Sequence, residues 1–356
     1  MAVSIALGTA AFARADDRAS VSTSVYTDSD GLTVVHPSAS GTIDEGETRV
    51  DLRYDADVIS AATVDVRTSA SVRPFEEVRN VGSIGVAQTV ERTVELGGDY
   101  ALSISPDHQS HSLGARARAE DDARIHRFGI DLRGAYESVG RAGDPAPTGE
   151  QLALGLAVAW TGVLTSWLVA DLSAALEWRH GYLESPYRFV TIWGDGAQLV
   201  RVPEDVPDDR VRGAITAALR AALADRAFAR ASYRLHADDW GIVGHTVELE
   251  ATFEPVDDWL VAIGGRILVQ RGASFYDGTY RTLPELPIFR TRDRELASSA
   301  SGAVFLRTEV PLAELPEGWR LFARARAELL YFRYFGTPLL PERLGLVTGL
   351  TLAVER

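Results

Sequence analysis

Two histidines three residues apart, His108 and His111, are the nearest approach in this chain to a metal-ligand pair. On a helix that spacing sets two rings on one face. Here the residues read as a strand-to-strand connection with no third ligand, and we expect no metal. Ser, His and Asp recur in the same connections, but a hydrolase triad needs a fixed geometry that no spacing here supplies. Solvated loop polarity accounts for them. Asp205, Asp208 and Asp209, with Asp238, Asp239 and Trp240, offer carboxylates of the calcium-binding type. Acidic surface loops more often repel and solvate.

The sharper chemistry is a set of charges at alternate positions. Arg116, Arg118, Arg127, Asp131 and Arg133 form one group, and Arg230, Arg234, Glu248, Glu250, Arg324 and Arg326 the other. Each falls on the polar phase of an alternating stretch. Lining a pore, such a ladder screens solutes by charge; as a salt-bridged filling it blocks the lumen. Both remain open. We expect Arg230, Arg234, Arg324 and Arg326 to form a positive strip partly balanced by Glu248 and Glu250.

The elements that must position these charges are strands. Val50 to Val58, Val94 to Ile104, Phe128 to Tyr136, Leu168 to Trp178, Val247 to Phe253 and Leu321 to Leu329 alternate apolar and other residues with period two. Val211 to Leu235 has helix-forming composition but keeps odd-position apolarity, so it reads as two strands around Ala224-Asp225. Short links near Asp121-Asp122, Gly162-Val163, Ala224-Asp225, 254–258 and 315–318 alternate with longer ones near 140–150, 181–210, 236–245, 271–297 and 335–342. An outer-membrane barrel keeps that parity because one end carries tight turns and the other free loops. Trp167, Trp259 and Trp319 sit near the short turns, and Trp178, Tyr182, Tyr187, Trp240, Tyr276, Tyr331 and Tyr334 near the long loops, as two interfacial belts require.

Composition agrees. There is no Cys, hence no disulfide, thiolate site or cysteine nucleophile. Every basic side chain is Arg, which removes Schiff-base and P-loop lysine chemistry. A net charge of -14 argues against nucleic acid as a partner. No apolar run is long enough for a membrane helix. Ala13-Arg14-Ala15 before Asp16-Asp17 reads as a signal-peptidase site. The expected organisation is a signal peptide over 1–15, shortened at its start, and one domain over 16–356.

Several loop motifs resemble the uncharacterised bacterial family catalogued as domain of unknown function 3570. They are Asp57 to Asp65, Gly181-Tyr182-Leu183-Glu184-Ser185-Pro186-Tyr187-Arg188, Pro207 to Arg210, Tyr233 to Ile242 with Asp238-Asp239-Trp240, Gln270 to Tyr276, and Thr291-Arg292-Asp293-Arg294. The resemblance covers nearly the whole mature chain. It implies an outer-membrane barrel, brings no established activity, and places members in a setting similar to envelope redox and flavin-transfer systems.

The sequence therefore predicts an all-β, antiparallel, up-and-down transmembrane barrel of about sixteen strands (roughly 14–16), with both termini periplasmic and long extracellular loops near 181–210 and 271–297. The leading function is a pore for small polar solutes in the bacterial outer membrane, with lipid as its surroundings, no cofactor and no enzymatic step. An anchoring or assembly barrel for an envelope redox partner comes second, and an outer-membrane hydrolase third.

Overall fold

The structure is a computed structural model that describes residues 17–61, 75–144, 146–194, 197–281 and 287–356. The expected signal peptide and part of the Asp57 to Asp65 motif lie outside the described residues. The strands are β1 (Arg18–Asp28), β2 (Leu32–Glu45), β3 (Thr48–Ala61), β4 (Phe75–Glu91), β5 (Val94–Ile104), β6 (His108–Glu120), β7 (His126–Val139), β8 (Gly149–Thr165) and β9 (Leu168–Gly181). They continue with β10 (Phe189–Gly194), β11 (Ala197–Pro203), β12 (Asp209–Ala224), β13 (Ala227–Asp238), β14 (Val243–Val256), β15 (Trp259–Arg271), β16 (Tyr280–Arg281), β17 (Ser299–Glu314), β18 (Arg320–Tyr334) and β19 (Glu342–Glu355).

All but β10, β11 and β16 close into one antiparallel barrel of 16 strands, each paired with its neighbour in the wall. The seam joins β1 to β19 over Arg18↔Glu355 to Asp28↔Gly345. Closure satisfies every strand edge within the wall, the condition for a sheet surrounded by lipid. The first strand starts at Arg18 and the last ends at Glu355, paired at the end that carries the tight turns; the opposite end carries the loops. The link expected at Gly162-Val163 turns instead after Thr165, because the alternation of β8 runs on to that residue. The link expected over 236–245 shrinks to 239–242, since β13 and β14 pair from Ala237↔Val243 downward.

Period two gives the wall two faces. Leu172, Leu249, Ile263 and Leu350 belong to an outward apolar phase and are 48%, 59%, 58% and 67% exposed. Tyr54, Tyr100, Tyr136, Trp178, Tyr233 and Tyr331 ring the loop side of that band; Phe128, Trp160, Trp167, Phe253 and Trp259 ring the turn side. Along β7 the step from Phe128 to Tyr136 rises about 20 Å for a strand tilted roughly 40°. That is close to the height of an outer-membrane apolar band. Alternate residues, Glu177, Glu250 and Arg324 among them, belong to the other phase.

Strands β11, β10 and β16 form a separate small sheet inside the two longest connections, 182–208 and 272–298. Two small cores form at the loop end: Val190, Ile192 and Tyr280 bury together in one, and Val206 and Ala273 join Trp240 and Ile242 of the link after β13 in the other.

Candidate functional site

The polar phase is identified as the interior by which groups it brings together. Arg116 on β6 reaches Asp51 on β3 at 3.3 Å, three strands away around the wall. Side chains that far apart converge on a concave face and diverge on a convex one. Arg49 joins the same group through Glu95 at 3.1 Å and Asp51 at 3.4 Å. Arg118 meets Asp131 at 2.8 Å, Arg133 meets Asp99 at 2.7 Å, and Arg127 donates to Glu120 at 2.7 Å. Across the lumen wall, Arg230 meets Glu248 at 3.0 Å, Arg266 meets Glu328 at 2.7 Å, and Arg307 meets Glu250 at 2.9 Å. Arg324 is held between Glu309 and Glu355.

This corrects the expected positive strip. Arg230 and Arg324 are compensated by carboxylates, two of which, Glu309 and Glu355, played no part in the sequence reading. The side chains of Arg234 and Arg326 have no ion pair or hydrogen bond among the described residues. The physical reason is the register: alternation places charges on one face, but only cross-strand pairing decides which of them are neighbours.

The arginines lie along the wall instead of standing into the bore. A Cβ at Gly97 would stand 2.8 Å from Nε of Arg116, and one at Gly129 would stand 3.0 Å from Arg118. Phe305 lies over Gly264 and His236 over Gly244 in the same way. Interior glycines thus serve as seats for long side chains of the next strand. The strand-to-strand ion pairs described here join strands at most three apart, whereas opposite walls of a 16-stranded barrel are eight apart.

The family-motif residues gather at the loop end. Gly181 holds φ +114°, open to glycine but strained for other residues, and a Cβ there would meet the carbonyl of Glu150 at 2.3 Å. Tyr182 follows, its backbone N–H donating to Glu150 at 2.8 Å. The carbonyl of Pro186 accepts from Arg141 at 2.6 Å, and the Tyr187 hydroxyl from the N–H of Ala142 at 2.6 Å. Asp238 receives the guanidinium of Arg210, which stacks 4.3 Å from the Trp240 ring. Asp239 is exposed and only its backbone N–H is engaged, with Val211. Asp293 caps a short 3₁₀ turn, Arg294–Leu296, and pairs with Arg188 at 3.0 Å. Arg294 pairs with Asp30 in the connection after β1.

Glu204 was not legible as a site residue, yet it is the centre of this cap. Its side chain is 2% exposed. It accepts from Arg188 at 3.2 Å, from the N–H of Ser185 at 3.0 Å and from the Thr291 hydroxyl. These bonds join the two longest connections. With Arg271 on the carbonyl of Gly241 and Tyr276 on Thr337, they tie together the connections after β1, β7, β9, β13, β15 and β18. Within the cap, burial and the nearby Asp205 and Asp208 raise the pKa of Glu184 above the ordinary carboxylate range. Trp240 and Tyr334, expected in the membrane belt, are buried at 5% and 2%. Trp240 fills the cap core, and Tyr334 stacks under Arg294 on the inner phase.

His108 and His111 lie within β6 on opposite faces, not in a connection. His108 faces Glu137 at 3.0 Å, while Nδ1 of His111 lies 2.7 Å from the Tyr100 hydroxyl on the outer face. They cannot share an ion. Asp205, Asp209 and Asp238 are each engaged separately, with Arg290, His180 and Arg210. No group of three metal-ligating side chains gathers among the described residues.

Residues 131–321 match the profile of the family described as Protein of unknown function (DUF3570). The chain belongs to that family. No characterised relative matches it in sequence. Among solved structures it is similar to a bacterial polysaccharide outer membrane secretin, with TM-score 0.56, 8% identity, and 97% and 100% of the two chains covered. It is also similar to OccAB1 of Acinetobacter baumannii, with TM-score 0.51, 7% identity and 97% of each chain covered. At such identities the likeness concerns the fold. The closed wall, apolar band and aromatic girdles make this DUF3570 member an outer-membrane β-barrel.

Proposed function

We propose that this protein is a pore for small polar solutes across the outer membrane, with the turn end and both termini in the periplasm and the cap at the outer surface. The carrying observation is that interior side chains lie flat on the wall, seated on glycines and paired with near neighbours. A 16-stranded wall treated in this way leaves room for an aqueous channel. The cap then sets the size of solute admitted at the loop end. The bacterial polysaccharide outer membrane secretin shares the architecture, which is in keeping with passage. The reading includes no catalytic step, metal or cofactor.

The test is conductance of the full-length protein in planar bilayers, with liposome swelling in sugars of graded size. Stepwise, ohmic conductance is the expected result. A folded barrel that inserts and passes no current overturns the reading. That result would favour an anchoring barrel for an envelope partner, for which one feature speaks: residues 198–200 of β11 are exposed, and β11 is an edge strand of the small sheet among the described residues.

A further inference from the structure

Two pairs of interior arginines face each other directly across neighbouring strands. Arg220 opposes Arg230 between β12 and β13, and Arg307 opposes Arg326 between β17 and β18. Like charges in that relation repel. In the first pair each guanidinium turns to its own carboxylate, Arg220 to Asp171 at 2.8 Å and Arg230 to Glu248 at 3.0 Å. In the second pair only Arg307 does so, through Glu250 at 2.9 Å. The remaining carboxylates nearby are taken: Glu328 by Arg266 at 2.7 Å, and Glu309 and Glu355 by Arg324.

Arg326 runs instead over Gly349, where a Cβ would stand 3.1 Å from its Nε and 3.3 Å from Cβ of Ser24 on β1. That path lays the guanidinium beside a hydroxyl stripe in which Ser22 pairs in register with Thr351. Arg326 is exposed, while Ser22 and Ser24 are half-buried. We propose that Arg326, with the hydroxyls of Ser22 and Ser24, is a contact site for a small oxyanion, a phosphate or carboxylate, on its way through the lumen. The inference rests on the pore reading. Its chemistry is that of a fixed guanidinium fork, which matches two oxygens of such a group, with hydroxyl donors alongside. Because Arg324 holds two carboxylates, the charge around Arg326 stays near balance, and the site acts by direct contact rather than by a long-range field.

The experiment uses the full-length protein in planar bilayers at constant ionic strength, with chloride carrying the current and inorganic phosphate titrated in. Phosphate should reduce the wild-type current saturably. Arg326→Ala should raise the half-blocking concentration by about tenfold, equivalent to roughly 1.4 kcal/mol, and Arg326→Lys by less. Arg324→Lys, which keeps a charge between Glu309 and Glu355 on the same face of the same strand, should leave it within about twofold; heat-modifiable gel mobility verifies that each variant is folded. A conducting wild type that ignores phosphate, or equal loss in Arg326→Ala and Arg324→Lys, overturns the oxyanion site and leaves the pore standing. A folded wild type without conductance overturns both.

Discussion

The barrel wall and the loop cap solve the same problem, burying charge beside arginine, in different ways. In the wall, carboxylates such as Glu248, Asp131 and Asp51 sit on a regular lattice, and each is within three strands of its guanidinium. Neighbours are plentiful, the side chains are partly exposed, and single losses are shared. In the cap, Glu204 is almost sealed from solvent and gathers groups from two connections 87 residues apart in the case of Thr291. The wall spreads its electrostatics over many exchangeable pairs, whereas the cap rests on a few nearly sealed carboxylates, Glu204, Asp238 and Asp30.

That contrast breaks most visibly at Glu204. Replacing Glu204 with Ala removes the acceptor shared by the Ser185 N–H, the Thr291 hydroxyl and Arg188, which keeps Asp293 at 3.0 Å; three bonds to one charged group at roughly 1.5 kcal/mol each put the cost at about 3–5 kcal/mol. The loss should be confined to the cap. Limited proteolysis should cut within 182–208 and 272–298 while the barrel keeps its heat-modifiable mobility. Loss of the barrel itself would mean that cap and wall fold as one unit.

A smaller effect tests the wall. Leu249→Arg places a charge in the apolar band and should cost roughly 2–4 kcal/mol near the midplane. Glu250→Gln, one residue away on the interior, should fall below about 1 kcal/mol, because the half-exposed Arg307 remains hydrated. Refolding into lipid vesicles with urea titration measures both. Equal sensitivity at the two positions would invert the assigned faces.

The smallest effect sharpens the picture of the cap. Burial and the neighbouring Asp205 and Asp208 raise the pKa of Glu184 in the folded cap above its unfolded value. Such a group lends stability that is fully present below the unfolded carboxylate pKa and lost as pH rises through the folded one. The cap should therefore loosen from acid toward neutral pH. Glu184→Gln should protect it at neutral pH and make no difference below about pH 4. Hydrogen exchange at 182–208 reads this directly; an unchanged pH profile in the variant would assign the dependence elsewhere.

Much of the wall was legible because a barrel strand is a local object. Two faces, one in lipid and one in water, impose period two on every stretch, and Val211 to Leu235 obeyed it despite its helix-forming composition. Turn positions were read well where a sharp polar break existed, as at Asp257-Asp258, and poorly at Gly162-Val163, where the alternation simply continued. The cap was illegible for the opposite reason. The motif residues Pro186, Tyr187, Trp240, Asp293 and Arg294 are far apart in the chain, and no periodicity announces that they meet.

By itself the amino-acid sequence determined the architecture and the two-faced alternation of its strands, since each follows from neighbours along one strand. Tertiary structure alone decided which arginines are neutralised, that Arg326 is not, and that Trp240 and Tyr334 are buried instead of facing lipid. It also decided that Glu204 locks two distant connections. Those outcomes depend on register, closure and loop packing, which bring together groups that the chain keeps dozens of residues apart.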